Sequence, residues 1–349
     1  MTVRGLWSLT RSLTVSCEES RKPPTIGQAS IGANSSNEDR FRVYACNGVT
    51  VATVADGHGS HSVSQFVVDR LPEELLVAWT RPKAATPVNR VEAAFRHVDS
   101  LLRDSMYKSA SAEWHAGSCA LSAMVTDSSV LVANTGDSRA LLVKRAAKPG
   151  GADDVELPEG TQWVSELHTA DSLSEQERLH ALHPNERDVV HCRQKIIELD
   201  GDGKITSMRW AACYVKGRLQ PTRAFGDFYL KDARAVEVCP ELVPASSFSP
   251  PYIEVTPSIN EWQRESGSLL VLATDGLWDY VSPQQVVDLV RRLPRDDVQA
   301  MAAGLIDLAL EIAAEATAGE FSVADLKAMP QGYERRSIHD DITVLVIAL

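Results

Sequence analysis

Apolar positions along the chain follow two different rhythms. The runs 49–54, 118–126, 130–134, 138–144, 269–273 and 342–348 are short, apolar and β-branched, as strands buried on both faces would be. Segments 62–79 and 87–108 repeat at helical spacing instead. Val63, Phe66, Val67, Leu71, Leu75 and Leu76 form one stripe, and Val91, Ala94, Phe95, Val98, Leu101 and Leu102 form another. Pro72 is expected to kink or split the first of these helices. A first strand is expected at 25–31, and Asn47-Gly48 between two apolar runs marks a tight hairpin. Beyond the three central strands, a strand at 163–167 leads to a short helix at 174–182. That helix opens with Ser174-Glu175-Gln176-Glu177, a capping-box pattern. Residues 148–160 read as an exposed loop and 184–215 as irregular. A helix from Pro283 to Leu293 and a long amphipathic one near 296–317 precede the closing strand. Strands followed by helix pairs, twice over, imply two stacked sheets with helices outside, in one domain.

Composition narrows the class. The 349 residues are 44% hydrophobic, enough for a sizeable core, and carry a formal net charge of -12. That balance argues against a nucleic-acid binder and against attraction to an anionic membrane surface. No run of about 18 apolar residues is present to span a bilayer. Six cysteines occur without a CxxC pair, several inside apolar runs, so reduced core thiols and an intracellular home, cytoplasmic or nuclear, are expected. Residues 1–16 carry Arg4 and Arg11 but no acid and resemble an organellar transit segment only weakly; a tail packed on the domain is the expectation.

Candidate chemistry sits at strand ends. Val51 to Ala55 leads into Asp56-Gly57-His58-Gly59, where two glycines are expected to end the strand in a sharp turn. Leu269 to Thr274 leads into Asp275-Gly276, and Asp340-Asp341 stands immediately before the last strand. One Asp-Gly pair alone is an ordinary turn. Three apolar strands with acidic ends, together with Glu38-Asp39, suggest carboxylates converging on hard divalent cations, which prefer oxygen ligands.

These residues resemble the metal-dependent serine/threonine protein phosphatases of type 2C, with some features similar to the pyruvate dehydrogenase phosphatase branch. The resemblance runs from about residue 26 to 349 through ordered motifs. They are Asn37-Glu38-Asp39, Val54 to Gly59, Gly117-Ser118-Cys119-Ala120, Ala133 to Arg139, Thr222 to Asp227, Leu272 to Asp279 and Asp340 to Thr343. It implies an α+β fold, a four-layer α-β-β-α sandwich of two antiparallel sheets flanked by helix pairs. It implies a catalytic domain at 25–349 after an N-terminal extension at 1–24, with a variable flap at about 184–215 that helps choose substrates. Asp56 would bridge two Mn²⁺ or Mg²⁺ ions, with Glu38 and the Gly57 carbonyl completing one site and Asp275 and Asp340 holding the other. Asp137 matches a position linked to a third, weaker ion. A hydroxide between the metals would attack phosphoserine or phosphothreonine of protein substrates, with His58 as general acid. Arg223 and Asp227 match a motif read here as structural, an ion pair bracing a loop near the site. Asp39 and Asp279 are placed behind the metal ligands.

Asn34 departs from the family pattern, because many members carry there an arginine that grips the substrate phosphate. Ser60, where a further glycine is usual, is a small change. Residues 198–209 superficially suggest a calcium loop, but the twelfth position is Arg209 rather than a bidentate acid, so a polar hairpin turn is expected. The rival functions are a pseudophosphatase kept as a binding or regulatory module, and a metal hydrolase acting on small phosphate esters. A monomer without nucleic-acid partners is expected.

Overall fold

The computed structural model describes residues 23–80, 86–109, 113–144, 157–199, 205–244 and 247–349. The chain begins with β1 (Ile26–Ile31), β2 (Arg40–Cys46) and β3 (Val49–His58), then helices α1 (His61–Thr80) and α2 (Pro87–Lys108). Strands β4 (Gly117–Val125), β5 (Ser129–Thr135), β6 (Arg139–Val143) and β7 (Thr161–Trp163) precede α3 (Leu173–Leu182). Next come β8 (Val190–Leu199), β9 (Ile205–Val215), β10 (Phe225–Gly226) and the short helices α4 (Phe228–Lys231) and α5 (Ala235–Val238). The last part holds β11 (Ser258–Gln263), β12 (Leu269–Ala273), α6 (Asp275–Trp278), α7 (Pro283–Arg292), α8 (Val298–Ala316), α9 (Val323–Ala328), α10 (Tyr333–Arg336) and β13 (Ile342–Ala348).

Two antiparallel sheets result. One has the order β1-β13-β12-β6-β7, and the other β11-β5-β4-β3-β2 with β10 attached to β4. Strand alternation decides what each sheet faces. Leu270 and Leu272 of β12 meet Ala52, Val54, Leu121, Leu345 and Ile347 in the space between the sheets. Their neighbours Val271 and Ala273 turn outward onto Val286 of α7 and Leu305 and Ala309 of α8. In β3, Val51 and Ala55 pack outward with Val63 and Val67 of α1 and Phe95 of α2. Because both faces of each sheet are covered, these strands read as continuous apolar runs. The four layers are helices, sheet, sheet, helices, as the sequence implies.

Some expectations change. Pro72 lies inside α1, which runs unbroken from His61 to Thr80. One forfeited backbone bond is outweighed by burial of Leu71, Leu75 and Leu76 on the same helix. The segment expected to be irregular, 184–215, instead carries β8 and β9, a separate two-stranded ribbon. Its tip, 200–204, lies outside the described residues, so the hairpin turn expected there is not seen. The N-terminal extension lies almost wholly outside them too, as does most of the 148–160 loop. The N-cap position of α3 is Ser172 rather than Ser174, and its side chain makes no capping bond, so the expected capping box does not form. Among the described residues, no helix is long and apolar enough to cross a membrane.

The cysteine expectation is also corrected. Cys192 and Cys213 face each other across β8 and β9 and form a disulfide. Cys46 is disulfide-bonded as well, while Cys119 and Cys239 are free and buried. Strand register, which brings together residues 21 apart in sequence, overrides the absence of a CxxC pair.

Candidate active site

The acidic strand ends meet. Strand β3 stays paired to β4 to its last residue, with Asp56 opposite Cys119, Gly57 opposite Ser118 and His58 opposite Gly117. Of the two glycines expected to end the strand, Gly57 therefore stays within it, and the turn comes at Gly59 with φ +76°. Asp56 is thus mounted on a strand rather than a loop. From the other sheet, β12 gives way to α6 at Asp275, and Asp340 stands just before β13. Asp137 lies between β5 and β6.

Carboxylate oxygens of Asp56, Asp137 and Asp275 lie within 4.8 Å of one another. A cavity of about 310 Å³ is lined by these three acids together with Asn34, Glu38, Gly57, His58, Cys119, Arg336 and Asp340. The tight cluster thus joins Asp137, assigned by resemblance to a third ion, to two acids of the main pair. Glu38 and Asp340 face the same cavity. Asp39 does not line it: it is buried behind the wall, where it accepts a 2.8 Å hydrogen bond from Thr274 Oγ1. Asp279 also stands outside the lining and is exposed.

Electrostatics show what this crowd needs. Burial, then the neighbouring Asp275, pushes the Asp56 carboxyl well above the usual range. Asp275 is raised well above it too, by burial and then Asp137. Burial raises Asp340 to about 6 and Asp39 to about 8. Glu38 is raised by burial and by Asp341. Ionised together, these acids repel one another in a poorly solvated space, and cations with several oxygen ligands relieve that repulsion. The residues present therefore fit divalent metal.

His58 is held from below. Its Nε2 lies 3.0 and 2.9 Å from the two oxygens of Asp227, which is fully buried. Burial, the largest single influence, lowers the imidazole pKa, but the charge and hydrogen bond of Asp227 together with the nearby Asp137 and Glu38 outweigh it, so the net shift is upward. Gly117 permits this approach: a Cβ there would sit 2.1 Å from Asp227 Oδ2 and 2.4 Å from His58 Nε2. Arg223 does not pair with Asp227, as the motif had suggested. It bonds Glu175 of α3 at 2.6 Å, and Arg178 and Thr222 join the same carboxylate.

Asp341 had no separate role in the sequence reading, yet it organises the opposite wall. Its carboxylate accepts from the N–H groups of Ala33, Asn34 and Glu38 at 2.5, 3.0 and 2.7 Å, and from Asn34 Nδ2 at 2.9 Å. Of the two adjacent acids, Asp340 faces the cavity and Asp341 fastens the loop that presents Glu38. Arg336, which pairs with Asp340 Oδ2 at 2.6 Å, was likewise missed. Its spacing of four residues before Asp340 was the available signal.

A family model described as protein phosphatase 2C matches residues 33–318. The probable protein phosphatase 2C 67 of Arabidopsis thaliana is 30% identical over 339 residues, covering 92% of this chain and 82% of its own length. The probable protein phosphatase 2C 61 of Oryza sativa subsp. japonica is 32% identical over 336 residues, covering 92% and 80%. Among solved structures, a serine-threonine phosphatase 2C from Toxoplasma gondii superposes with a TM-score of 0.58 at 18% identity, covering 93% of this chain and 96% of that one. A C. elegans sex determining protein gives 0.61 at 18% identity, over 94% of this chain and 65% of that chain.

Proposed function

From the premise that this chain belongs to the protein phosphatase 2C family, and so is a protein serine/threonine phosphatase, we propose that the carboxylate cavity hydrolyses phosphoserine and phosphothreonine with divalent cations and with His58 as general acid. One observation carries the reading: Asp56, Asp137 and Asp275 converge from two sheets in a cavity that also holds a histidine braced by a buried acid.

Glu38, Asp56, the Gly57 carbonyl, Asp275 and Asp340 are the residues to hold two Mn²⁺ or Mg²⁺ ions, with Asp137 available to a third. When bound, such ions would supply Lewis acidity, which offsets phosphoryl charge and lowers the pKa of water so that hydroxide is available as the nucleophile near neutral pH. The chain's own part is geometric and protic. A carboxylate only accepts, so His58 Nε2–H donates to Asp227. The proton left for the Ser or Thr leaving oxygen is then the one on Nδ1, present only in the imidazolium. An upward-shifted pKa keeps that form populated near neutral pH.

The test is phosphate release from a phosphothreonine peptide with Mn²⁺, with Mg²⁺ and with chelator, beside Asp56→Asn. Turnover that needs metal and falls by roughly a hundredfold or more in the variant is the expected result. A folded wild-type protein inert at millimolar Mn²⁺ would refute the reading in favour of a binding module.

A further inference from the structure

Arg336 is the sole Arg or Lys among the described residues that line the cavity, facing Glu38, Asp56, Asp137, Asp275 and Asp340. A phosphomonoester arriving there is itself an anion. Metal ions can neutralise part of its charge, and a guanidinium adds a planar fork of N–H donors that matches two phosphoryl oxygens at once.

Asn34 offers less for this. Its backbone N–H and one of its two Nδ2 hydrogens donate to the two oxygens of Asp341, and the amide hydrogen that remains is not a fork. Arg336 is placed differently. Its helix α10 is tied down by the Gly332 N–H, which donates to Ala33 O at 2.8 Å, and by Arg335, which is buried and donates from Nη1 to Met329 O at 3.1 Å. The backbone is therefore fixed beside the loop that carries Asn34. The Arg336 side chain is 47% exposed and makes one ion pair, Nη2 with Asp340 Oδ2 at 2.6 Å. A guanidinium has five N–H groups, so donors remain to face the cavity.

We propose that Arg336 binds the non-bridging oxygens of the substrate phosphate at the cavity rim, while its pair with Asp340 aims the guanidinium. The assignment rests on the phosphatase reading above and names the group that orients the ester within it. Inorganic phosphate, the product, should occupy the same contact.

The competing account is that Arg336 only positions Asp340, in which case its loss weakens metal binding and nothing else. Arg336→Ala and Arg336→Lys separate the two. With saturating Mn²⁺, the alanine variant should raise KM for a phosphothreonine peptide and the inhibition constant of inorganic phosphate together, roughly 10- to 100-fold. The lysine variant should fall between, since it keeps the charge and loses the fork. The Mn²⁺ concentration for half activity should move far less. If both constants stay within about twofold of wild type, or if added Mn²⁺ restores them, the proposal is overturned. Calorimetric titration of inorganic phosphate into the Mn²⁺-treated proteins reads the same contact without turnover. A wild-type chain that binds phosphate through Arg336 yet hydrolyses nothing would defeat the catalytic reading and leave this one standing.

Discussion

His58 shows how one residue's chemistry is set by what lies beneath it. Its imidazole is pulled two ways: burial disfavours the charged form, and Asp227, in bonding contact at 2.9 Å, favours it. Burial is the largest single influence, but Asp227 joined by Asp137 and Glu38 outweighs it, so the folded pKa lies above the ordinary value of 6.5. If the imidazolium is the acid, activity is retained below that raised pKa and lost as pH rises through it. Asp227→Asn keeps a hydrogen-bonding group but removes the largest of the charges that oppose burial, leaving only the weaker influence of Asp137 and Glu38 against it. The alkaline limb of kcat should then move to lower pH, by on the order of one pH unit. Rate profiles of the two proteins between about pH 5 and 9 would show it. An unmoved limb would mean that some other group supplies the proton.

At the scale of elements, what could be read in advance was whatever lay on a buried repeat. The runs at Val51, Leu121, Leu270 and Val344 are apolar because both their faces are covered, and the carboxylates at their ends were therefore visible as candidates. Strands β8 and β9 escaped because they belong to neither stacked sheet and pair only with each other. Partners set by tertiary approach were hidden as well. Glu175 lay inside an expected capping pattern without a role of its own and serves Arg223, and Asp341 looked like a twin of Asp340 and fastens the Asn34 loop. Glycines carry the same lesson. Gly276 opens α6 directly against β13, where a Cβ would stand 2.1 Å from the Asp341 carbonyl oxygen. Gly304 in α8 would meet only the Leu289 side chain, at 3.4 Å. Gly276→Ala should therefore destabilise the fold by about 1–3 kcal/mol or more, since backbone must shift. Gly304→Ala should be neutral or stabilising by up to about 1 kcal/mol, from the better helix propensity of alanine. Urea unfolding of both variants checks the pair, and equal losses would contradict the contact argument.

For the molecule as a whole, the site sits across the seam of the sandwich. Asp56 comes from the sheet of β2 to β5, and Asp275 and Asp340 from the sheet of β12 and β13, with apolar side chains such as Val54, Leu272 and Leu345 between the two. A polar bridge crosses beside the cavity, where Thr274 Oγ1 donates to Asp39 and accepts from the Thr343 N–H at 3.0 Å. Without cations the acids facing one another across the seam repel when ionised, and much of their shift upward in pKa records that repulsion together with burial. Divalent ions held jointly by the two sheets would turn the repulsion into attraction, and an unfolded chain cannot offer the same ligand set. Binding to the folded state alone adds RT ln(1 + [L]/Kd), about 2.7 kcal/mol at a hundredfold excess over Kd. Thermal unfolding should accordingly shift upward by several degrees as Mn²⁺ is added and return with chelator, by the usual relation between free energy and midpoint. The shift should be much smaller in Asp56→Asn, whose apo form should be no less stable than the wild-type apo protein because one repelling charge is gone. Leu272→Ala, which loosens the seam without touching a carboxylate, should cost about 2–5 kcal/mol and also weaken the response to Mn²⁺. A variant that loses stability but keeps the full metal shift would show that the carboxylates hold their ions independently of how tightly the sheets are packed.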